Sequence, residues 1–477
     1  MNKCQKFTPT SYVETLLDNV GYNGKKILKK TFLENSCGEG NILVVAVERY
    51  IIAALAEKLP PKEISKDLHD YFIAFEIDKE IVDKCISKLN DLITNYNLPP
   101  VNWNIVLKDY LRTKVEQPIN YIVGNPPYIM YQELDDENRE YLKNNFDSCE
   151  KGKFDYCYAF IEKSIKDLVE GGEMSYLIPN SIFKNSFGLN LREIMKEYLY
   201  SIVDFPHTPI FSDAMTTSAI IRISKNEKKD YIEYTNTDQS EQIKIMRDYL
   251  LGKWIFTIDY QAAVIEQQEE HRRFGDYYLV SNSVATLANK VFVLSDFKKN
   301  GSYFVHEDFK IELSVIKKAA SPRGLSRNIK EFIIFPYKIN RNVGFSKYSN
   351  QQFLESFPET TRYLKENEKI LSNRKADGKW FEYGRSQALN KIDKKKLMMS
   401  SIITEKINVY ELGKSVIPYS GFFITSPNGF SLEVAKKILE SKQFYEYILK
   451  RAINANGRSV RCSVKDIMNF PVDDFID

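Results

Sequence analysis

Short apolar runs alternate with longer amphipathic ones from the start of the chain to about residue 224. The short runs are 31–34, 71–75, 104–107, 120–124, 174–178, 200–205 and 218–224. They are rich in β-branched and aromatic residues and have the length of strands. Between them the segments 42–59, 79–95, 156–169 and 189–199 repeat their apolar residues at helical spacing. Gly38, Gly40, Pro99, Pro100, Gly124, Gly171, Gly172 and Pro179 punctuate the junctions. This alternation predicts an α/β fold. A polar, charged stretch at 225–230 then breaks the rhythm, and beyond it segments shorten and loops lengthen. We therefore expect two domains, 1–228 and 229–477, the second of mixed α+β character. A chain of 477 residues exceeds one ordinary core in any case.

Composition narrows the class. The chain is 43% apolar and 27% charged, as ordinary globular proteins are. Its 30 Tyr and 29 Phe suit a core, and also a surface that stacks on flat ligands. The net charge of +3 hides an asymmetry. The first 225 residues hold 27 Lys and Arg against 32 Asp and Glu, so the basic excess lies in the second half. That permits a polyanionic partner. None of the six Cys stands in a CxxC pair, and there are four His, which excludes a zinc ribbon and a disulfide-stapled secreted domain. The first residues lack an apolar signal core, and the most apolar stretch, 42–56, is interrupted by Glu48 and Arg49. The expectation is a soluble, cytoplasmic protein with no membrane association and no metal.

Four motifs follow successive candidate strands. The sharpest is Asn125-Pro126-Pro127-Tyr128 after the apolar run ending at Gly124. Two prolines fix φ and remove two backbone donors, yet their carbonyls remain as acceptors. Asn125 adds a side-chain carbonyl and Tyr128 a flat ring. The set suits a planar group that carries an NH2. Its bland alternative is a tight proline turn capping a buried strand. The second motif, Glu34-Asn35-Ser36-Cys37-Gly38-Glu39-Gly40, is a glycine turn before a helix, where a ligand can approach the backbone. Alone it is a weak signal, and Cys37 reads as a small packed residue. The third, Glu76 at the end of the next strand, suits hydrogen bonds to ribose hydroxyls. Its distance from the glycines exceeds the usual ~20 residues, and the excess around Pro60-Pro61 reads as an extended helix and a loop. The fourth, Asp109-Tyr110, pairs an acid with an aromatic ring. Taken singly, the last two acids are better read as helix caps. Together the four share one register, the carboxyl edge of an α/β sheet, where such folds bind ligands.

These residues, in this order, resemble the gamma class of adenine-specific DNA methyltransferases, the TaqI-like enzymes. The resemblance covers about the first 225 residues. Gln5-Lys6-Phe7-Thr8-Pro9 is similar to the class's N-terminal cofactor motif, Glu34 to Gly40 to its glycine-rich motif, and Asn125 to Tyr128 to its catalytic motif. It implies a Rossmann-like, seven-stranded domain that binds S-adenosylmethionine (AdoMet). Cofactor contacts are then expected from Thr8 and Pro9, from Glu34, Cys37, Gly38 and Gly40, from Glu76 and Ile77, from Asp109 and Tyr110, and from Asn125 and Pro127. Asn125 and Pro126 carry the catalytic acceptors, and Tyr128 and Phe211 stack on the target adenine. The glycine motif departs from the class at Asn35, where a proline is usual, and at Ile42, where an aromatic is common. Past residue 228 the likeness is loose, at 281–293, 335–341 and 457–471.

What the resemblance implies is methyl transfer to the N6 amino group of an adenine flipped out of double-stranded DNA, with the second domain recognising the target. Candidate DNA contacts are Lys317, Lys318, Arg323, Arg327, Arg458 and Arg461, although for any one of them a solvated surface charge is the better reading. The run 391–396 reads as plain surface. A separately encoded restriction endonuclease is a candidate partner. Methylation of cytosine C5 is disfavoured, because the activated Cys of that chemistry has no counterpart here. Other planar NH2 substrates, ribosomal RNA adenine or protein glutamine, stay open, as does an inactive recognition subunit.

Overall fold

A computed structural model describes residues 8–206, 217–226, 228–238, 241–256, 271–295, 298–340, 344–374, 376, 378–386, 388–456 and 459–476. The chain divides into two units, Met1–Gln268 and Glu269–Asp477.

The first unit is built on one nine-stranded sheet. Its strands are β1 (Phe32–Glu34), β2 (Phe72–Glu76), β3 (Asn104–Leu107), β4 (Ile119–Gly124), β5 (Leu168–Pro179), β6 (Leu199–Phe205), β7 (Ser218–Ser224), β8 (Tyr231–Asn236) and β9 (Glu241–Met246). Their order is β3-β2-β1-β4-β5-β7-β6-β8-β9. Strands β1 to β5 run parallel to one another, while β7 lies antiparallel between β5 and β6. All seven expected strands are present, and β8 and β9 extend the sheet beyond them.

Alternation along the strands assigns the two faces. Phe32, Phe72 and Ala74 join one apolar cluster, whereas Leu33, Ile73 and Phe75 join the other. Helices α1 (Thr10–Asn19), α2 (Asn41–Ala56), α3 (Pro61–Tyr71) and α4 (Lys79–Asn95) supply the first cluster. Helices α5 (Asp136–Asn145), α6 (Cys157–Asp167) and α7 (Leu189–Lys196) supply the second. With helices on both faces, the central parallel strand β1 is buried along its whole length, while the edge strand β3 is only half-buried.

Two sequence expectations change. The extra length around Pro60-Pro61 is a short connection at 57–60 and then a separate helix, since Pro61 opens α3 at its first position, where the missing N–H costs nothing. The boundary expected at 228/229 falls inside the first unit's connections. Strand β8 pairs with β6, and the segment after β9 returns to the core, where Trp254 is fully buried and its backbone N–H donates to the Phe183 carbonyl at 2.8 Å. The charged stretch at 225–230 is only the link from β7 to β8.

The second unit carries short sheets. One joins Leu279–Asn282, Phe422–Thr425, Lys396–Met399 and Tyr410–Leu412, and another Val293–Leu294, Glu331–Ile334, Ile316–Ala320 and Ile417–Pro418. Its aromatic surplus is core: Phe353 stacks on Phe381 at 4.1 Å, and Phe470 packs edge-on against Phe444 and Tyr447. Among the described residues of the chain no helix is long and apolar enough to cross a membrane.

The run 391–396 corrects a sequence expectation. Lys394 and Lys395 are exposed, but Lys396 is buried, and its Nζ donates to the carbonyls of Gly413, Lys414 and Val416 at 3.1, 3.2 and 2.9 Å. Burial pushes its pKa down to about 8. A buried ammonium ringed by carbonyls is a peg for the loop 413–416. Lys396→Met should therefore destabilise the protein by about 1.5–3 kcal/mol, the range for hydrogen bonds to a charged group. Lys394→Met should change stability by less than ~0.5 kcal/mol. Equal urea-unfolding midpoints for the two variants would contradict the peg.

Candidate active site

The four motifs meet at the carboxyl edge of β1 to β4, beside the end of β5. After β1 the chain turns sharply. The Cys37 N–H donates to the Phe75 carbonyl at 2.9 Å, tying the turn to β2, and the Gly40 N–H donates to the Cys37 carbonyl at 2.8 Å. Gly38 and Gly40 both have positive φ, +53° and +84°, which favours glycine. Their surroundings differ. A Cβ on Gly40 would lie 2.6 Å from Cys85 Sγ, whereas the space beside Gly38 is open. Gly38 is thus where a ligand can reach the backbone, and Gly40 is where α2 packs close on α4. Cys37 is buried against Cys85, in keeping with a packed residue.

Glu34 is buried, and its Oε2 has no hydrogen-bond partner. Burial holds its carboxyl well above the usual carboxylate range. A buried acid with a vacant oxygen beside an open glycine fits a ligand that brings positive charge or N–H donors. At the end of β2, Glu76 accepts from the N–H groups of Gly38, Ile77 and Asp78 at 3.1, 2.8 and 3.2 Å. These bonds fix its carboxylate at the glycine turn. Ile77 beside it is 60% exposed, an apolar side chain free to cover a ring. Asp78 caps α4 through the Glu80 N–H at 3.0 Å.

At the end of β3 the pair separates. Asp109 stays at the edge, accepting from the Leu111 N–H at 2.9 Å. Tyr110 is buried, with its hydroxyl on Asp167 at 2.7 Å and its ring packed against Phe75 and Phe160. Its ring face belongs to the core, which differs from the cofactor-facing role expected for it. Half-buried Tyr156, close to Asp109, is an edge aromatic that the motif reading missed.

The diproline corner leaves β4 between the glycine turn and β5. Pro126 is buried, while Asn125, Pro127 and Tyr128 are half-buried. Asn125 is held at both ends: its Nδ2 donates to Thr8 Oγ1 at 3.2 Å, and its main-chain carbonyl accepts from Ser36 Oγ at 3.2 Å. With the amide nitrogen committed to Thr8, the side-chain carbonyl has one set direction. Thr8 is itself buried, and its carbonyl accepts from Asn41 Nδ2 at 3.4 Å. The Tyr128 hydroxyl donates to the Leu177 carbonyl at 2.8 Å, which fixes its ring between the two apolar clusters.

A buried polar chain lies under the corner. Asn35 Nδ2 donates to Ser164 Oγ at 2.9 Å and to the Tyr176 hydroxyl, and Ser164 also contacts Tyr110. Gly124 fits closely here, since a Cβ would lie 3.2 Å from the Tyr176 ring and 3.5 Å from Asn35 Oδ1, so a side chain would press on that ring. The sequence showed Asn35 only as a departure from the motif. Cys149 and Cys157 are buried near the corner, and burial raises both thiols, Cys149 to about 12. Neither is a thiolate nucleophile.

Phe211 and Arg458 lie outside the described residues, as does the stretch before Thr8; Pro9 precedes α1 as its exposed N-cap. In the second unit Lys317 and Lys318 sit on the strand Ile316–Ala320, and exposed Arg323 and Arg327 on the helical turn that follows. Exposed Arg461 belongs to a different, three-stranded sheet.

Residues 28–211 match the family described as Eco57I restriction-modification methylase. Over 496 residues the chain is 24% identical to the type II restriction enzyme and methyltransferase RM.Eco57I of Escherichia coli, covering 83% of this chain and 49% of that protein. It is 22% identical to the type II methyltransferase M.BstVI of Geobacillus stearothermophilus, covering 95% of this chain and 87% of that protein. The chain thus spans about half the length of the first relative and most of the second. Among solved structures, the type IIL restriction-modification enzyme MmeI in complex with DNA shares the fold over 96% of this chain and 65% of its own, with a TM-score of 0.63 at 14% identity. The matched stretch, 28–211, contains the glycine turn, Glu76, Asp109-Tyr110 and the diproline corner, the motifs that carry the resemblance.

One titration follows from the geometry. Half-buried Asp155 caps α6 through the Cys157 N–H at 3.1 Å, and its backbone bridges Met130 just past Tyr128. Burial, with Glu133 adding to it, raises its carboxyl to about 6. A carboxyl raised on folding stabilises the fold below its unfolded pKa, and that contribution is lost as pH rises through the folded value. Asp155→Asn keeps the cap without the charge. The stability of wild type relative to this variant should fall between pH 4 and 6 and then level off. A constant difference across that window would refute the shift.

Proposed function

We propose that this restriction-modification-type methylase transfers a methyl group from AdoMet to the N6 amino group of an adenine turned out of double-stranded DNA, and that the second unit recognises the DNA. The observation that carries the reading is the corner at the end of β4, where stiff backbone and a tethered Asn125 amide hold acceptors beside the anchored Tyr128 ring. The cofactor would lie over the glycine turn, with Gly38 open to it, Glu34 Oε2 facing its positive charge or N–H groups, Glu76 on its ribose and Ile77 over its adenine ring. When bound, AdoMet supplies an electrophilic methyl on a sulfonium.

The amino nitrogen of adenine is a poor nucleophile because its lone pair is delocalised into the ring. Asn125 Oδ1 and the Pro126 carbonyl accept its two hydrogens and draw it towards a pyramidal geometry. Acceptors already in place stabilise the charge that develops there without rearranging. The nitrogen would gain the methyl carbon as the carbon–sulfur bond breaks, its electron pair staying on the sulfur of a neutral thioether, and would shed one of the shared protons to solvent. Tyr128 holds the ring in register by stacking, worth ~1–3 kcal/mol per base. Turning the nucleotide out of the helix costs a few kcal/mol, offset by phosphate contacts.

DNA is favoured over ribosomal RNA or a protein glutamine by the large second unit and by relatives named as type II methyltransferases. A restriction endonuclease of the same specificity is the partner this reading calls for, whether encoded apart or joined to the chain.

The test is labelled methyl transfer from AdoMet to unmethylated DNA, followed by modification-sensitive sequencing. Asn125→Ala should lose about 10²–10³-fold in rate, the loss seen when one preorganised partner is removed, while AdoMet affinity stays within a few-fold. Transfer by this variant at a near-normal rate would remove the acceptor role. Thr8→Val should lower kcat about tenfold, in line with losing one neutral hydrogen bond, and Thr8→Ser should restore most of it. If valine and serine behave alike, Thr8 does not orient Asn125.

A further inference from the structure

Beyond the corner, the rim of the first unit holds an exposed ring that the methyl-transfer reading does not use. Phe187 is 44% exposed, alone among the described phenylalanines of this unit. It stands on the turn that follows β5, at the same sheet edge as the corner. Exposed Met130 lies two residues past Tyr128, and exposed Leu189 two past Phe187.

The turn that presents Phe187 is held firmly. Asn185 Oδ1 accepts from the Phe187 N–H at 3.0 Å. Fully buried Arg192 donates through Nη1 to the carbonyls of Ile182 and Asn185 at 2.6 and 2.8 Å, and through Nε to the Gly252 carbonyl at 2.7 Å. Burying a guanidinium against neutral carbonyls is a costly way to fix a loop. The ring is also seated from the far side. Gly152 has φ +83°, and a Cβ there would overlap the Phe187 ring. So a glycine backbone backs the ring, and the rest of the ring faces solvent. Lys151 and Lys153 flank that glycine and are exposed, with Lys151 paired to exposed Glu150 at 2.9 Å. Such a surface pair is weak and exchanges readily for another anion.

A fixed, open aromatic ring backed by a glycine that two lysines flank matches a nucleotide, whose base offers a π face and whose phosphate offers the charge. We propose that Phe187 is a stacking platform for a base next to the methylated adenine on the same DNA strand, with Lys151 and Lys153 on the neighbouring phosphates. The inference rests on the DNA reading above and adds the surface that holds the strand open beside the target.

The test uses the full chain and a duplex carrying the site that wild type methylates, with 2-aminopurine replacing the base beside the target. Phe187→Ala should weaken DNA binding about tenfold, the order expected for one lost stack, and raise the 2-aminopurine fluorescence of the complex. Phe187→Trp should bind like wild type. AdoMet affinity and melting temperature should not move, nor should anything change in Leu55→Ala, an exposed residue on α2. Replacing both lysines by glutamine should lower the slope of log affinity against log salt by about 2. If wild type methylates this DNA and both sets of variants bind it unchanged, the platform is refuted and the methyltransferase reading stands. If wild type transfers no methyl group to DNA, both fall.

Discussion

The stiffness of two successive prolines at the end of a central parallel strand is the constraint around which this edge is arranged. Prolines give a corner that does not breathe, but they also remove two N–H groups that might otherwise tether it. The tethers therefore come from elsewhere in the chain. Thr8 takes the Asn125 amide nitrogen, Ser36 donates to the Asn125 carbonyl, and Leu177 takes the Tyr128 hydroxyl. They reach the corner from the stretch before α1, the glycine turn and β5. The corner thus assembles only when the sheet does, and acceptors fixed before a substrate arrives need not reorganise during reaction.

The same edge shows how a departure from a motif is accommodated. Asn35 stands where the resembling class has a proline, and in a dry interior its amide must find partners or cost stability. Ser164 on α6 and Tyr176 on β5 provide them for its nitrogen, while its Oδ1 has no partner among the described residues, and the chain continues through Tyr110 to Asp167 and Lys163. This network explains why Tyr110 turns inward. Its hydroxyl completes a buried chain of hydrogen bonds, and such chains strengthen as they lengthen in low dielectric. The ring then packs on Phe75 and Phe160 beneath the edge that its neighbour Asp109 occupies.

Buried cations recur as pegs. Arg192 in the first unit and Lys396 in the second each donate to three main-chain carbonyls, and each holds an irregular loop in place. Burial lowers both pKa values, Arg192 to about 10 and Lys396 to about 8. The carbonyls of such loops have no sheet or helix partner of their own, so a long cationic side chain supplies the donors.

The sequence by itself determined the alternation of strands and helices, the diproline corner, the glycine turn and the acids at the strand ends. Those features are local: periodicity, proline and glycine act on their own few residues. It also placed Gly38, Glu76 and Asn125 on one edge, because parallel strands with helical crossovers bring their carboxyl ends together. Tertiary structure alone decided the rest. Whether Tyr110 faces a ligand or the core, whether Lys396 is surface or peg, and where the first unit ends are set by partners from distant parts of the chain. The turn from β7 to β8 has the composition of a linker, yet β8 adds to the sheet and Trp254 fills the core beyond it. Polar residue types are compatible with either fate, and what chooses between them is whether folding brings a matching donor, acceptor or apolar wall within reach.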